Sequence, residues 1–177
     1  MLILKYLIVM SLIINTNHTI FNFTKNSKLY NWTIVNDVVM GGRSTSTISL
    51  NAEGNAVFKG EVSLENNGGF SSLRHRFDKL DISKFKTIKI RLKGDGKKYQ
   101  FRIKPSRFNQ YSYVYHFITN TEWQIIEISL ADFIPTFRGN VLDLPNFSGK
   151  ELEEIGFLIG NKKQEKFQLT IDTIVLE

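Results

Sequence analysis

Between Ile20 and Leu176 apolar residues recur at every second position, in short runs separated by turn residues. Residues 87–93 show it most plainly. Ile88, Ile90 and Leu92 fall on one side; Lys89, Arg91 and Lys93 fall on the other. A period of two belongs to a strand with one buried face, whereas a helix repeats every 3.6 residues. No amphipathic stretch of ordinary helix length interrupts the series, so the crossover helices of a parallel sheet are missing. Strands are expected at 20–23, 32–35, 44–50, 56–64, 87–93, 99–104, 111–119, 123–130, 155–160 and 167–176. Glycine-rich loops are expected at 36–44 and 65–74, an irregular loop at 133–139 and one helical turn at 150–154. So many short strands with frequent turns predict an all-β, antiparallel sandwich or barrel in a single domain.

Composition narrows the chemistry. The chain of 177 residues is 42% hydrophobic and 23% charged, which suits one globular domain with a sizeable core. It contains no Cys, which removes disulfides, thiol nucleophiles and Cys-based metal sites. His18, His75 and His116 are scattered without metal-ligand spacing, and no cofactor or metal is expected. A structural calcium at Asp37 or Asp172 is the lesser alternative. A net charge of +6 favours anionic partners or simply solubility.

The first residues are almost all apolar, with Lys5 the only charge up to Ile14. The pattern reads as a signal-like segment or membrane tether over 1–19, ahead of a domain over 20–177. An exported or membrane-associated protein is therefore expected, with a first buried strand and a cytoplasmic location as the alternative.

Two loops share a chemistry of amides, a Gly pair and an Arg. They are Asn36-Asp37-Val38-Val39-Met40-Gly41-Gly42-Arg43-Ser44 and Asn66-Asn67-Gly68-Gly69-Phe70-Ser71-Ser72-Leu73-Arg74. Gly94-Asp95-Gly96 before Tyr99, Phe133-Ile134-Pro135-Thr136-Phe137-Arg138-Gly139, and Ile155-Gly156-Phe157-Leu158-Ile159 before Phe167 complete an ordered set. Together these stretches resemble the complex I intermediate-associated protein 30 family over about residues 20–177. The resemblance implies a galactose-binding-domain-like β-sandwich of jelly-roll type. It also implies a non-enzymatic, chaperone-like assembly factor that binds protein subunits of a respiratory NADH:ubiquinone oxidoreductase. The alternatives are a carbohydrate-binding module of an exported protein and, third, an enzyme on a sandwich scaffold.

Three groups of residues are candidates for binding. The first is the set of family-like loops: Asp37, Met40, Gly41, Gly42, Arg43, Asn67, Gly68, Gly69, Arg74 and Arg138. Arginine presents a planar donor fork to a carboxylate or phosphate, so these loops either hold an acidic ligand or tie to Asp37 internally. The second is a basic face. Residues 84–107 carry ten Lys or Arg against one acid, Asp95. If Gly94-Asp95-Gly96 closes a hairpin, Arg102 and Lys104 join Lys89, Arg91 and Lys93 on one surface. That surface either meets an anionic partner or glycan, or is a solvated outer face. Nucleic acid is not expected, because the neighbouring aromatics alternate with the charges and face inward. The third is the row Tyr111, Tyr113 and Tyr115, which either holds sugar rings or packs the core. No catalytic residue is expected; Ser71, His75 and Asp78 form a Ser–His–acid set on paper only.

Overall fold

The computed structural model describes residues 17–177, apart from the side chains of Val39 and Met40. Residues 1–16, and with them most of the expected signal-like segment, lie outside the described residues. The alternating runs form thirteen strands. They are β1 (His18–Asn22), β2 (Trp32–Asn36), β3 (Thr45–Leu50), β4 (Ala56–Val62), β5 (Ser71–Asp81), β6 (Thr87–Lys93) and β7 (Lys98–Lys104). The rest are β8 (Ser112–Ile118), β9 (Gln124–Ser129), β10 (Ile134–Phe137), β11 (Asn140–Val141), β12 (Glu151–Ile159) and β13 (Glu165–Leu176).

The strands build an antiparallel jelly-roll sandwich. A six-stranded sheet runs β3-β4-β13-β6-β9, with β1 also paired to β13. A seven-stranded sheet runs β11-β10-β8-β7-β12-β5-β2. The long β13 serves two neighbours on one side: its first half pairs β4 and its second half pairs β1. The inward faces supply the core. Phe58, Tyr99, Phe101, Phe133 and Phe157 are all fully buried there, interleaved with Ile88, Ile90, Ile103 and Ile155. No helix among the described residues is long and apolar enough to cross a membrane.

Four expectations need correction. First, Gly94-Asp95-Gly96 does not close a hairpin. β6 pairs β9 and β13, whereas β7 pairs β8 and β12, so the turn carries the chain from one sheet to the other. Asp95 pins that crossing by accepting from Tyr99 Oη at 3.1 Å and from the Gln168 amide of β13 at 2.9 Å. Second, β5 is a strand of 11 residues where a loop ending at Arg74 is expected. Leu73 and His75 are buried along it, while Arg74 and Arg76 reach the other side. Third, residues 150–154 are not a helical turn: Glu151 already opens β12, paired opposite Asp81. Fourth, the irregular loop at 133–139 contains β10, whose Ile134 pairs opposite Val114 of β8.

An aromatic cluster closes one end of the sandwich. Phe21 of β1 meets Trp32 of β2 edge-on at 5.3 Å, and Trp32 stacks on His75 of β5 at 4.6 Å. The cluster thus bridges the two sheets. His75 Nδ1–H donates to the Asn31 carbonyl at 3.2 Å. Burial lowers the His75 pKa below its ordinary 6.5, outweighing the opposing effect of that hydrogen bond.

Two outcomes follow for stability. Phe101→Ala removes a fully buried ring and should cost about 3–5 kcal/mol in chemical denaturation. The unfolded chain takes up a proton on His75 before the folded one does. Stability should therefore fall as pH drops from 6.5 toward the lowered folded value. His75→Phe should remove that part of the pH dependence in denaturation curves measured across the range; an unchanged profile would contradict the assignment.

Candidate functional site

The glycine loops converge on one carboxylate. β2 ends at Asn36, and the chain then turns through a 3-10 segment, Asp37–Met40, capped by Gly41 at φ 89°. The turn points Asp37 inward, where it is fully buried. Asp37 Oδ1 accepts from the Ser44 amide at 2.9 Å. Its Oδ2 accepts from the Ser44 hydroxyl and from the amides of Gly69 at 2.6 Å and Phe70 at 3.2 Å. Ser44 Oγ in turn accepts from the Ser63 amide at 2.9 Å. Burial alone would raise the Asp37 pKa; the donors from Ser44, Gly69 and Phe70 outweigh it and hold the carboxyl below its usual 3.8.

The Gly pairs are spacing devices for this carboxylate. A Cβ on Gly42 would lie 2.4 Å from Asp37 Oδ1, and one on Gly68 would lie 2.6 Å from Oδ2. Both loops press backbone against Asp37, which only glycine permits. Every group bonded to Asp37 is a donor, so the node fits an anion it already contains and repels a cation. Among the described residues no cluster of three metal-ligating side chains exists.

The arginines expected near Asp37 are elsewhere. Arg43 pairs with Glu65 at 2.8 Å on the surface, bridging the same two loops from outside. Asn67 sits in the left-handed region at φ 59° and is exposed. Arg138 and Gly139, at φ 48° and 85°, form the tight turn between β10 and β11. That turn belongs to the edge of the seven-stranded sheet opposite β2, so Arg138 cannot reach Asp37. Met40 falls outside the described side chains.

The single basic face is also corrected. Lys89, Arg91 and Lys93 lie on the six-stranded sheet, and Arg102 and Lys104 on the seven-stranded one, because 94–96 crosses between sheets. The first group is largely neutralised. Lys89 Nζ contacts Glu177 at 2.6 Å, Arg91 pairs with Asp172, and both Arg91 and Lys93 lie over the Trp123 ring.

The second group acquires partners that the sequence order hides. On the outer face of the seven-stranded sheet, Arg74 of β5 and Arg102 of β7 stand opposite Gly156 of β12 from its two sides. One row along, Arg76 and Lys104 flank Glu154. Arg76 Nε donates to Glu154 at 2.7 Å. Arg102 and Lys104 use neutral acceptors: Gln100 Oε1 at 3.2 Å and the Asn109 carbonyl at 2.7 Å. Burial, with the Arg74 charge beside it, lowers the Arg102 pKa to about 10 against the pull of Glu154. The roles of Arg76, Glu154 and Gly156 were missed in the sequence. The alternation of Arg74 and Arg76 with Leu73 and His75 was the available signal.

The tyrosine row turns inward. Tyr113 packs on Phe147 at 5.2 Å and Tyr115 on Phe133 at 6.0 Å, both core rings. Tyr111 rests against Tyr113 at 5.5 Å. Ser71, His75 and Asp78 do not assemble either. Ser71 donates to Asn36 Oδ1 at 2.7 Å, His75 to Asn31, and Asp78 faces Arg107 at 4.0 Å.

Asp37→Asn places an amide NH2 among donors and should cost about 1.5–3 kcal/mol, read by denaturant titration at neutral pH. A carboxylate with a lowered folded pKa contributes fully above its unfolded value of 3.8 and loses that contribution as pH falls through the folded one. The gap between wild type and variant should therefore close in acid; a gap that persists would rule out the charge-assisted node.

Comparison with known proteins places this geometry. The family model described as Complex I intermediate-associated protein 30 (CIA30) matches residues 21–171. A Drosophila melanogaster protein, "Complex I intermediate-associated protein 30, mitochondrial", is 25% identical over 183 residues, covering 89% of this chain and 62% of its own length. The Mus musculus protein of that name is 25% identical over 178 residues, covering 88% and 54%. The chain thus spans between half and two thirds of these relatives. Their mitochondrial designation overturns the expectation of an exported or membrane-associated protein. Among solved structures, the family 11 carbohydrate-binding module of Clostridium thermocellum, in complex with a β-1,3-1,4-mixed-linked tetrasaccharide, superposes with TM-score 0.66. It is 19% identical, and the match covers 90% of this chain and 94% of the module. The agarase AgWH50C superposes at TM-score 0.58 and 12% identity, over 91% of this chain and 24% of the agarase. These likenesses show the sandwich fold. The family match runs from β1 into β13 and includes both glycine loops, and by it this chain belongs to the complex I intermediate-associated protein 30 family.

Proposed function

We propose that this chain is a non-enzymatic, protein-binding domain that assists assembly of the respiratory NADH:ubiquinone oxidoreductase, in the mitochondrial setting of its relatives. The carrying observation is the family match across 21–171. The site geometry agrees with it. The most elaborate polar cluster, around Asp37, is saturated by its own backbone and serves shape rather than chemistry. The Ser–His–acid set is dispersed on separate partners. What the chain offers to the outside is a broad sheet face with excess positive charge, which suits a protein surface.

The carbohydrate-binding alternative rested on Tyr111, Tyr113 and Tyr115, and these rings pack toward Phe133 and Phe147 instead. Recovery of a tagged chain from detergent-solubilised mitochondria should bring down subunits of the oxidoreductase at an incomplete stage of assembly. Removal of the protein should lower the assembled complex on native gels. No subunit recovered, together with clear retardation by a defined polysaccharide in affinity electrophoresis, would reverse the choice.

A further inference from the structure

The outer face of the seven-stranded sheet carries a charge arrangement that folding alone leaves unbalanced. Four cations, Arg74, Arg76, Arg102 and Lys104, surround one carboxylate, Glu154. Glu154 is taken by Arg76. Among the described residues, no ion pair engages Arg74 or Arg102, although both stand beside the same glycine. Adjacent strands lie about 4.8 Å apart, so the two guanidinium stems rise roughly 10 Å apart with Gly156 between them. Beside Gly156 lies a recess of about 10 Å³, lined by Ser72, Ser112, Glu154 and the Arg74, Arg102 and Lys104 side chains. That is room for about one atom the size of a water oxygen. Gly156 also has an internal reason to be glycine, since a Cβ would lie 2.7 Å from the Leu73 carbonyl.

The charge of Arg102 is held at a cost: burial first, and the Arg74 charge second, lower its pKa below the ordinary value. An anion above Gly156 relieves both guanidiniums at once. Its shape is constrained. The recess is narrow, which suits the tip of a single carboxylate reached by a slim side chain. Ser72, Ser112, Val114 and Glu154 around it are buried beneath the cation side chains, so the remainder of the ligand lies over those side chains, toward the exposed Arg76. Glu154 lines the recess, so the site takes an isolated carboxylate rather than a continuous polyanion such as a nucleic-acid backbone. The inward-facing rings of β7 and β8 offer no surface for base stacking.

We propose that the recess over Gly156, between Arg74 and Arg102, receives a carboxylate side chain from an acidic segment of a protein partner. This inference rests on the protein-binding reading given above and names the surface and the chemistry through which it operates. The β6 cations do not compete for the role, because Glu177 and Asp172 already occupy Lys89 and Arg91.

The test uses the full chain and a dye-labelled peptide of alternating Glu and Ser, with the same peptide carrying Gln for Glu as comparison. The Glu peptide should bind, with affinity falling as salt rises, and the Gln peptide should not. The double variant Arg74→Gln, Arg102→Gln should weaken binding about tenfold or more while its Tm stays at or above that of the wild type. The charge-matched variant Lys59→Gln, Lys166→Gln, on the other sheet, should leave it intact. If the double variant fails to fold, Arg74→Gln alone carries the same comparison. Equal weakening by both double variants would overturn the site, since net charge alone would then explain binding. So would full displacement of the peptide by stoichiometric inorganic phosphate, or Arg74-dependent binding of an RNA oligonucleotide more tightly than of the peptide. Recovery of oxidoreductase subunits separates the two readings. A double variant that loses the peptide yet recovers the subunits overturns this face as the interface and leaves the assembly role standing. A wild-type chain that binds the peptide but recovers no subunits leaves the recess standing and removes the assembly role.

Discussion

Asp37 is where the two sheets are held in register. Its carboxylate collects donors from Ser44, ahead of β3, and from Gly69 and Phe70, ahead of β5, while Ser44 passes the connection on to Ser63 after β4. β3 and β4 belong to the six-stranded sheet and β2 and β5 to the seven-stranded one. A buried carboxylate is costly unless its acceptor sites are filled, and filling them here requires both loops to be in place together. The interaction therefore makes the two sheets' ends interdependent. Asn36 extends the arrangement: its Oδ1 accepts from Ser46 of β3 and Ser71 of β5, again across the sheets.

At the same end of the sandwich Asp95 does a related job with a different geometry. It stops the Gly94–Gly96 crossing from flattening into a hairpin by bonding to Tyr99 and to the Gln168 amide of β13. Two aspartates in glycine-bearing loops thus tie the two sheets together. The consequence reaches the surface. Because the chain changes sheet at 94–96, the basic residues of β6 and β7 are separated. Those of β7 then meet Arg74 and Arg76 of β5 across the intervening β12.

The strand pattern was legible wherever one face is buried and the other solvated, as in β6 and β7, because period two is then visible in the residues themselves. It failed for β5 and the start of β12 for a shared reason. Ser71, Ser72 and His75 are buried polar residues, and Glu153 and Glu154 are buried acids, so hydropathy does not mark them as strand. Their burial is supported by partners distant in sequence: Asn36 for Ser71, Asn31 for His75, Arg107 for Glu153 and Arg76 for Glu154. The glycine loops were visible as special, and their Asp was visible as a tie between loops. Its actual partners, backbone amides and a serine, carry no signature in the sequence that would separate them from an arginine. The grouping of Arg74 with Arg102 needed strand order, which local spacing does not contain.

A fold shared with carbohydrate-binding modules need not share their chemistry, and the difference here is written on the two faces of β7 and β8. Sugar recognition needs exposed rings, and on these strands Tyr99, Phe101, Tyr113, Tyr115 and Phe117 all point to the core side. The opposite positions carry Gln100, Arg102 and Lys104. A one-residue slip of register would exchange these sets, and the core forbids it, because it would place two cations among the phenylalanines. The sandwich that buries the rings therefore also fixes the cations on the outside. With Gly156 between Arg74 and Arg102, that fixed surface presents two guanidinium side chains on either side of a glycine.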